Sequence, residues 1–429
     1  MIEEKKANAS GRILIASLAG TTIEFFDFYI YATAAVLVFP HMFFPTSDPT
    51  TGTLESLATF ALAFFARPVG SALFGHFGDR IGRKATLVAS LMTMGICTVA
   101  IGLLPGYASI GVAAPLLLCL FRFGQGVGLG GEWGGAVLLA TENAPEGKKA
   151  WYGMFPQLGA PIGFILSSGV FLVIGKIFTQ QQFFSSGWRV PFIASALLVG
   201  LGLYVRLKIV ETPDFVKVVE ANQRAKFPLG TVLTKHFKAL ILGTLITILI
   251  FLFFYLLTVF TLSWGTTVLA YSRSGFLSAQ ILSMLFFAAG IILSAALAGR
   301  YTPLNMLLLS SVVILFFGLF IAQLFVAGNW LLVVTFLSGG MFLIGFNYGP
   351  LGTALAALFP APVRYTGASL AFTLAGILGG SLTPYFATSI ARNYGLTYVG
   401  YYLCSAALLS CISVMAAKQF MKGKTTHQG

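Results

Sequence analysis

The sequence has 429 residues, of which 57% are hydrophobic, 14% aromatic and only 9% charged. Soluble domains carry about 25% charged side chains, so this composition excludes a water-soluble globule and makes lipid the solvent. A net charge of +13 admits a nucleic-acid partner on its face, but the placement of the basic residues accounts for the charge better, and no nucleic acid is expected. A helix crosses the hydrocarbon in about 20 apolar residues. Runs of that kind, bounded by charge, Pro or Gly, fall at 13–38, 54–76, 86–104, 112–140, 151–174, 189–207, 239–262, 277–298, 303–321, 330–358, 364–390 and 397–417. The expectation is an all-α membrane protein of twelve transmembrane helices, because no run alternates apolar with polar residues as barrel strands do.

Basic residues fix the orientation. With the N-terminus inside, twenty of the 26 Lys and Arg fall in cytoplasmic segments, Arg206 among them, and four in outer loops. By the positive-inside rule both termini are cytoplasmic. The first apolar stretch carries Glu24 and Asp27 and shows no sign of being a cleavable signal peptide. The polar stretch 208–238 divides the chain into a six-helix half at 1–207 and another at 239–429 with a short cytoplasmic tail. A shift of 215 lays Gly134, Pro145 and Lys149 over Gly349, Pro360 and Arg364, a weak repeat of the kind that marks secondary transporters. Cys97, Cys119, Cys404 and Cys411 lie inside spans without metal-ligand spacing, so no metal is expected. The glycines from Gly126 to Gly131 follow no strand; they read as small residues for close helix packing rather than as a dinucleotide site.

The stretch from Gly75 to Lys84, GHFGDRIGRK, resembles the signature loop of the major facilitator superfamily. Arg122-Phe-Gly-Gln125-Gly126 with Gly130-Gly131-Glu132-Trp133 is similar to the fourth-helix motif of its metabolite:proton symporter group. Glu24-Phe-Phe-Asp27, Arg67-Pro68, Trp188-Arg189, Glu211-Thr212-Pro213 and Arg364-Tyr-Thr-Gly367 extend the resemblance over nearly the whole chain. It implies two pseudo-symmetric six-helix halves, a bacterial inner-membrane location and proton symport of a small organic solute by alternating access. Permeases for shikimate, 2-oxoglutarate, citrate and proline or betaine belong to that group. No cofactor is expected beyond the proton as coupling ion, and a monomer is the expected state.

Five ionisable residues lie inside spans: Glu24, Asp27, Arg67, Arg122 and Glu132. Each charge at a helix centre costs about 2.5–3.5 kcal/mol on insertion scales, so function is the default reading, with structural ion pairs as the competing one. Glu24 and Asp27 stand three apart, on one face of the first helix near midplane. They are expected to face the same cavity. Two carboxylates that close do not both ionise cheaply in a low dielectric, which suits the pair, with Glu132 third, to proton coupling. Arg122 is the candidate for the solute's anionic group, since guanidinium binds carboxylate bidentately. Arg67 is second, with an ion pair to Asp27 or Glu132 as its structural alternative. Gln125, Tyr29, Tyr31, Gln157, Asn347 and Tyr348 could add hydrogen bonds or walls to a midplane cavity.

The signature loop reads as a gate latch made of Gly75, Asp79, Arg80, Gly82, Arg83 and Lys84, with Asp79 capping a helix start and Arg83 pairing with Glu142. Arg364, the counterpart of Lys149 in the repeat, is counted with the gate in the second half. There the loop is Ala298-Gly299-Arg300-Tyr301-Thr302-Pro303 and the counterpart of Glu142 is Ala357, so the latch is expected mainly in the first half. Every Asp and Glu lies at or before Glu220, which puts carboxylate proton coupling in the first half as well.

Symport of a small carboxylated metabolite is the leading expectation. A zwitterionic osmolyte such as proline or betaine is the alternative; the chain ends soon after its last span, without the long heptad tail of osmosensing relatives. An uncoupled facilitator or receptor-like derivative is a further one, supported by the degenerate second loop. No enzyme is expected, because no nucleophile with an ordered base appears in any span.

Overall fold

Hydrocarbon offers the backbone no hydrogen-bond partners, so a chain of this composition must satisfy its N–H and C=O groups within helices. The computed structural model does this. It describes residues 10–45, 47, 49–298 and 300–426; Gly299 of the second-half loop lies outside them. The long helices are α1 Ser10–Leu37, α2 Pro49–Arg80, α3 Arg83–Leu103, α4 Ala113–Glu142, α5 Lys149–Ile177 and α6 Val190–Leu207. They continue as α7 Phe237–Thr267, α8 Arg273–Leu297, α9 Pro303–Gly318, α10 Trp330–Leu358, α11 Ala361–Tyr394 and α12 Leu396–Thr426.

Each expected span falls on one of these helices. Among the described residues, eleven are long and apolar enough to cross a membrane, and α9 is a shorter apolar helix. At 1.5 Å per residue α9 reaches about 24 Å, and the apolar run continues past it into the short helix Ile321–Leu324. Large apolar side chains such as Leu197, Leu331 and Leu116 stand exposed on the outer helix faces, where lipid would meet them.

The described residues form two compact units. The first takes those up to Asn143 together with Leu158–Pro228, and the second Ala144–Gln157 together with those from Leu229 onward. In the first, α2 and α4 approach backbone to backbone. A side chain on Gly126 would strike the Ala63 carbonyl, and one on Gly130 the Arg67 carbonyl; Ser71 ties the pair by donating to Gly130 O at 2.7 Å. At one end of this unit Phe39, Phe43, Trp188 and Phe192 form an aromatic core. At the other, Ile209, just past α6, packs with Ile13, Ala16, Leu87 and Leu139.

The second unit repeats the close pairing with α8 and α10, through Gly290 and Gly345. Here α7 and α11 each contain a wider π turn, at Leu256–Phe260 and Gly376–Ser381. Such a turn frees carbonyls from the regular ladder. The buried Gln280 of α8 takes up two of them, donating to Leu257 O at 3.1 Å and Thr258 O at 2.7 Å.

Candidate functional site

In the first unit, five spans converge on a buried polar layer. On α1, Glu24 and Asp27 are 1% and 0% exposed, but their surroundings differ. Glu24 Oε1 lies 3.6 Å from Arg67 Nη2 of α2, and its other oxygen is buried without a hydrogen-bond partner among the described residues. Asp27 is held by hydroxyls: Ser195 of α6 donates to Oδ1 at 2.6 Å and Thr98 of α3 to Oδ2 at 2.9 Å. Among the described residues, no cation lies within ion-pair reach of Asp27. The structural pairing of Arg67 is therefore with Glu24, not with Asp27 or Glu132. One turn of helix aims the two carboxylates at different neighbours, α2 for Glu24 and α3 with α6 for Asp27.

Arg122, on α4, is fully buried. Its Nη1 donates to Gln125 Oε1 at 2.7 Å and its Nη2 to Phe60 O at 3.4 Å. The guanidinium lies 3.8 Å from the centre of the Tyr31 ring and 5.1 Å from those of Phe28 and Phe60, so it is bracketed by aromatic faces. Tyr31 is itself fixed by a 2.6 Å hydrogen bond with Thr59. Tyr29 packs edge-on against Phe164 with ring centres 5.0 Å apart.

Glu132, nearly three turns further along α4 than Arg122, meets Arg206, which the positive-inside count places in a cytoplasmic segment. Arg206 is 2% exposed inside α6, and its two terminal nitrogens hold both Glu132 oxygens. It also donates to Leu87 O at 2.7 Å, while Ser90 reaches Glu132 Oε2 at 3.3 Å. A charge signal for it existed in the sequence. Glu24, Asp27 and Glu132 are three acids against two bases, and Arg206, at the end of an apolar run, is a further cation. Thr98 and Ser195, two hydroxyls in apolar spans, carried no such signal.

The signature loop forms a second buried cluster. Arg83 pairs with Asp79 at 2.9 Å and with Glu142 at 3.5 Å, the latter as expected. Gly82 has φ of 130°, a conformation that side chains disfavour, and it turns the Arg83 and Lys84 amides toward the Glu211 carboxylate at 3.0 and 3.2 Å. Glu211, placed in the linker by the sequence, thus caps α3. Thr212 beside it donates to Glu142 at 2.6 Å, and Lys84 Nζ to Leu207 O at 2.8 Å. Gly75 is buried in α2, whereas Arg80 is exposed and touches His76 at 3.4 Å.

In the second unit, Gln157 donates to the Tyr348 carbonyl at 3.0 Å. The Tyr348 ring stacks on Phe287 with centres 5.9 Å apart. Asn347 Nδ2 reaches Ser310 Oγ at 2.7 Å and Ser311 Oγ at 3.3 Å, and Ser311 contacts Ser410 at 3.1 Å. Arg364, half-buried at the start of its helix, donates to Phe359 O at 3.3 Å.

Comparison with known proteins adds the following. The sequence profile described as "Sugar (and other) transporter" matches residues 12–239. The inner membrane metabolite transport protein YhjE of Escherichia coli (strain K12) is 53% identical over 426 residues, 98% of this chain and 96% of its own. The shikimate transporter of the same organism is 33% identical across 95% of this chain and 94% of its own. The proline/betaine transporter of Salmonella typhimurium is 30% identical across 95% and 83%. Among solved structures, the major facilitator superfamily proton:xylose symporter XylE, bound to 6-bromo-6-deoxy-D-glucose, matches over 96% of each chain with a TM-score of 0.74. At 15% identity that likeness concerns the fold alone.

Proposed function

This chain belongs to the sugar (and other) transporter family of the major facilitator superfamily, and from that premise we propose that it carries a small carboxylated metabolite together with protons across the inner membrane. Its family is one of transporters, not enzymes. The membrane and the metabolite cargo rest on the name of the relative 53% identical to it; the carboxylate rests on the shikimate transporter and on Arg122.

The observation that carries proton coupling is Asp27, fully buried and held by two hydroxyls with no cation in ion-pair reach among the described residues. An ionised carboxylate sealed from water without a cation costs several kcal/mol, so sealing Asp27 and charging it oppose each other. A transport cycle that alternately seals and opens the group then drives proton uptake and release. Glu24, with one oxygen near Arg67 and the other without a hydrogen bond, supplies a second acid on the same helix. Arg122 holds the solute's anionic group by paired hydrogen bonds. Glu132, locked to Arg206, is a structural strut and the third coupling candidate. Each proton brings about 1.4 kcal/mol per pH unit, and the membrane potential adds about 2.3 kcal/mol per 100 mV for each net positive charge moved inward, so an electroneutral step with a monoanion reaches a hundredfold gradient on about two pH units.

Reconstituted in liposomes under an inward proton gradient, the protein is expected to give a solute-induced current with a carboxylate from the set shikimate, 2-oxoglutarate and citrate. The current should vanish in the Glu24→Gln/Asp27→Asn protein. Current with proline or betaine alone would replace the carboxylated metabolite by an osmolyte, a reading favoured by the 30% identical relatives. Because a monocarboxylate moving with one proton carries no net charge, the pH inside the liposomes is followed alongside the current; solute exchange that changes neither for any of the five solutes would refute proton coupling.

A further inference from the structure

We propose that Thr98 and Gln125 are positioning residues that link the Arg122 guanidinium to the Asp27 carboxylate, so that an anion on Arg122 favours the protonated form of Asp27. This rests on the reading of Asp27 as a proton carrier. Arg122, Gln125, Thr98 and Asp27 are each 0% exposed, and they form one unbroken chain. Arg122 Nη1 donates to Gln125 Oε1 at 2.7 Å, Gln125 Nε2 donates to Thr98 Oγ1 at 2.7 Å, and Thr98 Oγ1 lies 2.9 Å from Asp27 Oδ2.

Directionality follows from the donor inventory. A guanidinium has no acceptor, so Gln125 must turn its carbonyl to Arg122 and its NH2 to Thr98. The Thr98 hydroxyl then keeps one proton and two acceptors for it, Asp27 Oδ2 and the Met94 carbonyl, both at 2.9 Å. With Asp27 ionised, the hydroxyl points at the carboxylate. When Asp27 is protonated, its own O–H donates to Thr98 Oγ1 and the Thr98 proton turns to Met94 O. One torsion serves both forms, and no proton leaves Asp27 along the chain.

Gln125 biases that torsion. An N–H donated to Thr98 Oγ1 strengthens the donation Thr98 makes onward, since bonds in a chain polarise one another. The intact chain therefore favours ionised Asp27. An anion that captures Arg122 Nη1 releases the Gln125 carbonyl, the amide loses its anchor, and Thr98 becomes a better acceptor for a proton on Asp27. Anion binding and proton binding thus reinforce each other, the sign that symport needs. On α1 and on the helices α2, α3, α4 and α6 packed against it, the charged groups besides Asp27 are Arg12 and Glu24 of α1, Glu55, Arg67, Asp79 and Arg80 of α2, Arg83 and Lys84 of α3, Arg122, Glu132 and Glu142 of α4, and Arg206 of α6. Glu24 faces Arg67 and Glu132 faces Arg206. Ser195 donates to the other Asp27 oxygen and, among the described residues, makes no bond to Thr98, Gln125 or Arg122, which makes it the control.

The test is an infrared titration of the full-length protein in lipid films, following the protonated-carboxyl band that Asp27→Asn removes. Arg122→Gln is expected to move the midpoint of that band by about one pH unit in the wild-type background and by less than about 0.3 unit when combined with Thr98→Val. Thr98→Ser, which keeps the hydroxyl, should preserve the full shift, and so should Ser195→Ala. At the wild-type midpoint, Gln125→Leu should enlarge the band. It also cuts the chain one link away should Thr98→Val not fold. Equal shifts with and without the Thr98 hydroxyl would mean that Arg122 acts through space; this would overturn the relay and leave the symport reading intact. A wild-type spectrum with no titrating band lost in Asp27→Asn would overturn both.

Discussion

The same place in the two units is filled by opposite chemistry. In the first, Glu132 of α4 is gripped by Arg206 and approached by Ser90. In the second, the residue 215 positions later is Asn347 of α10, surrounded by Ser310, Ser311 and, through Ser311, Ser410. Both sites are fully sealed, with Glu132 at 1% and Asn347 at 0% exposure. An ion pair in such a place is stable only as a pair, because each charge is costly without the other. A neutral cluster tolerates loss of a member at the cost of one hydrogen bond. The first unit therefore holds charges that depend on one another, and the second fills the same place without charge.

Breaking the pair should have the largest effect. Arg206→Leu leaves Glu132 buried and uncompensated, and is expected to cost about 3–5 kcal/mol, read as a lower unfolding temperature in detergent. Adding Glu132→Leu should recover most of the loss. If the double variant is as unstable as the single, the cost lies in packing and not in charge. Next comes importing charge into the neutral site. Asn347→Asp places an acid among serines with no cation beside it among the described residues, and should destabilise by about 2 kcal/mol at neutral pH. No change there would mean that the second unit accommodates a charge as readily as the first. The smallest effect is expected from Ser310→Ala, which removes one neutral partner of Asn347 and should cost about 1 kcal/mol in the same assay. A loss as large as that of Arg206→Leu would dissolve the contrast.

How far the sequence foretold this depends on which physical signal each feature leaves. Lipid solvation writes the helices into composition, so spans such as Ile241 to Leu257 were legible at once, and so were the glycines where α2 and α4 touch. Glu24, Asp27, Arg67, Arg122 and Glu132 stood out because a charge in an apolar run is expensive. Which charge meets which was not legible, because pairing depends on how helices rotate against one another. Arg67 turns to Glu24, and Arg206, at the edge of its span, reads in the sequence as a topology marker. Thr98 and Ser195 were invisible for a further reason: a hydroxyl in a membrane helix ordinarily bonds its own backbone, as Thr244 does with Leu240 O at 2.9 Å. Only the fold tells the few that also reach a carboxylate.

The cap that Glu211 makes on α3 has a practical side. Together with Thr212, buried against Glu142, and with Phe215 and Val218, also buried, it makes the stretch just after α6 an integral part of the first unit. Anyone wishing to express the two halves as separate polypeptides, or to insert a reporter between them, should therefore cut well beyond Val218. A break immediately after Leu207 would carry away the carboxylate that holds the signature loop closed, and a fragment that misbehaved would then report on the surgery and not on the independence of the halves.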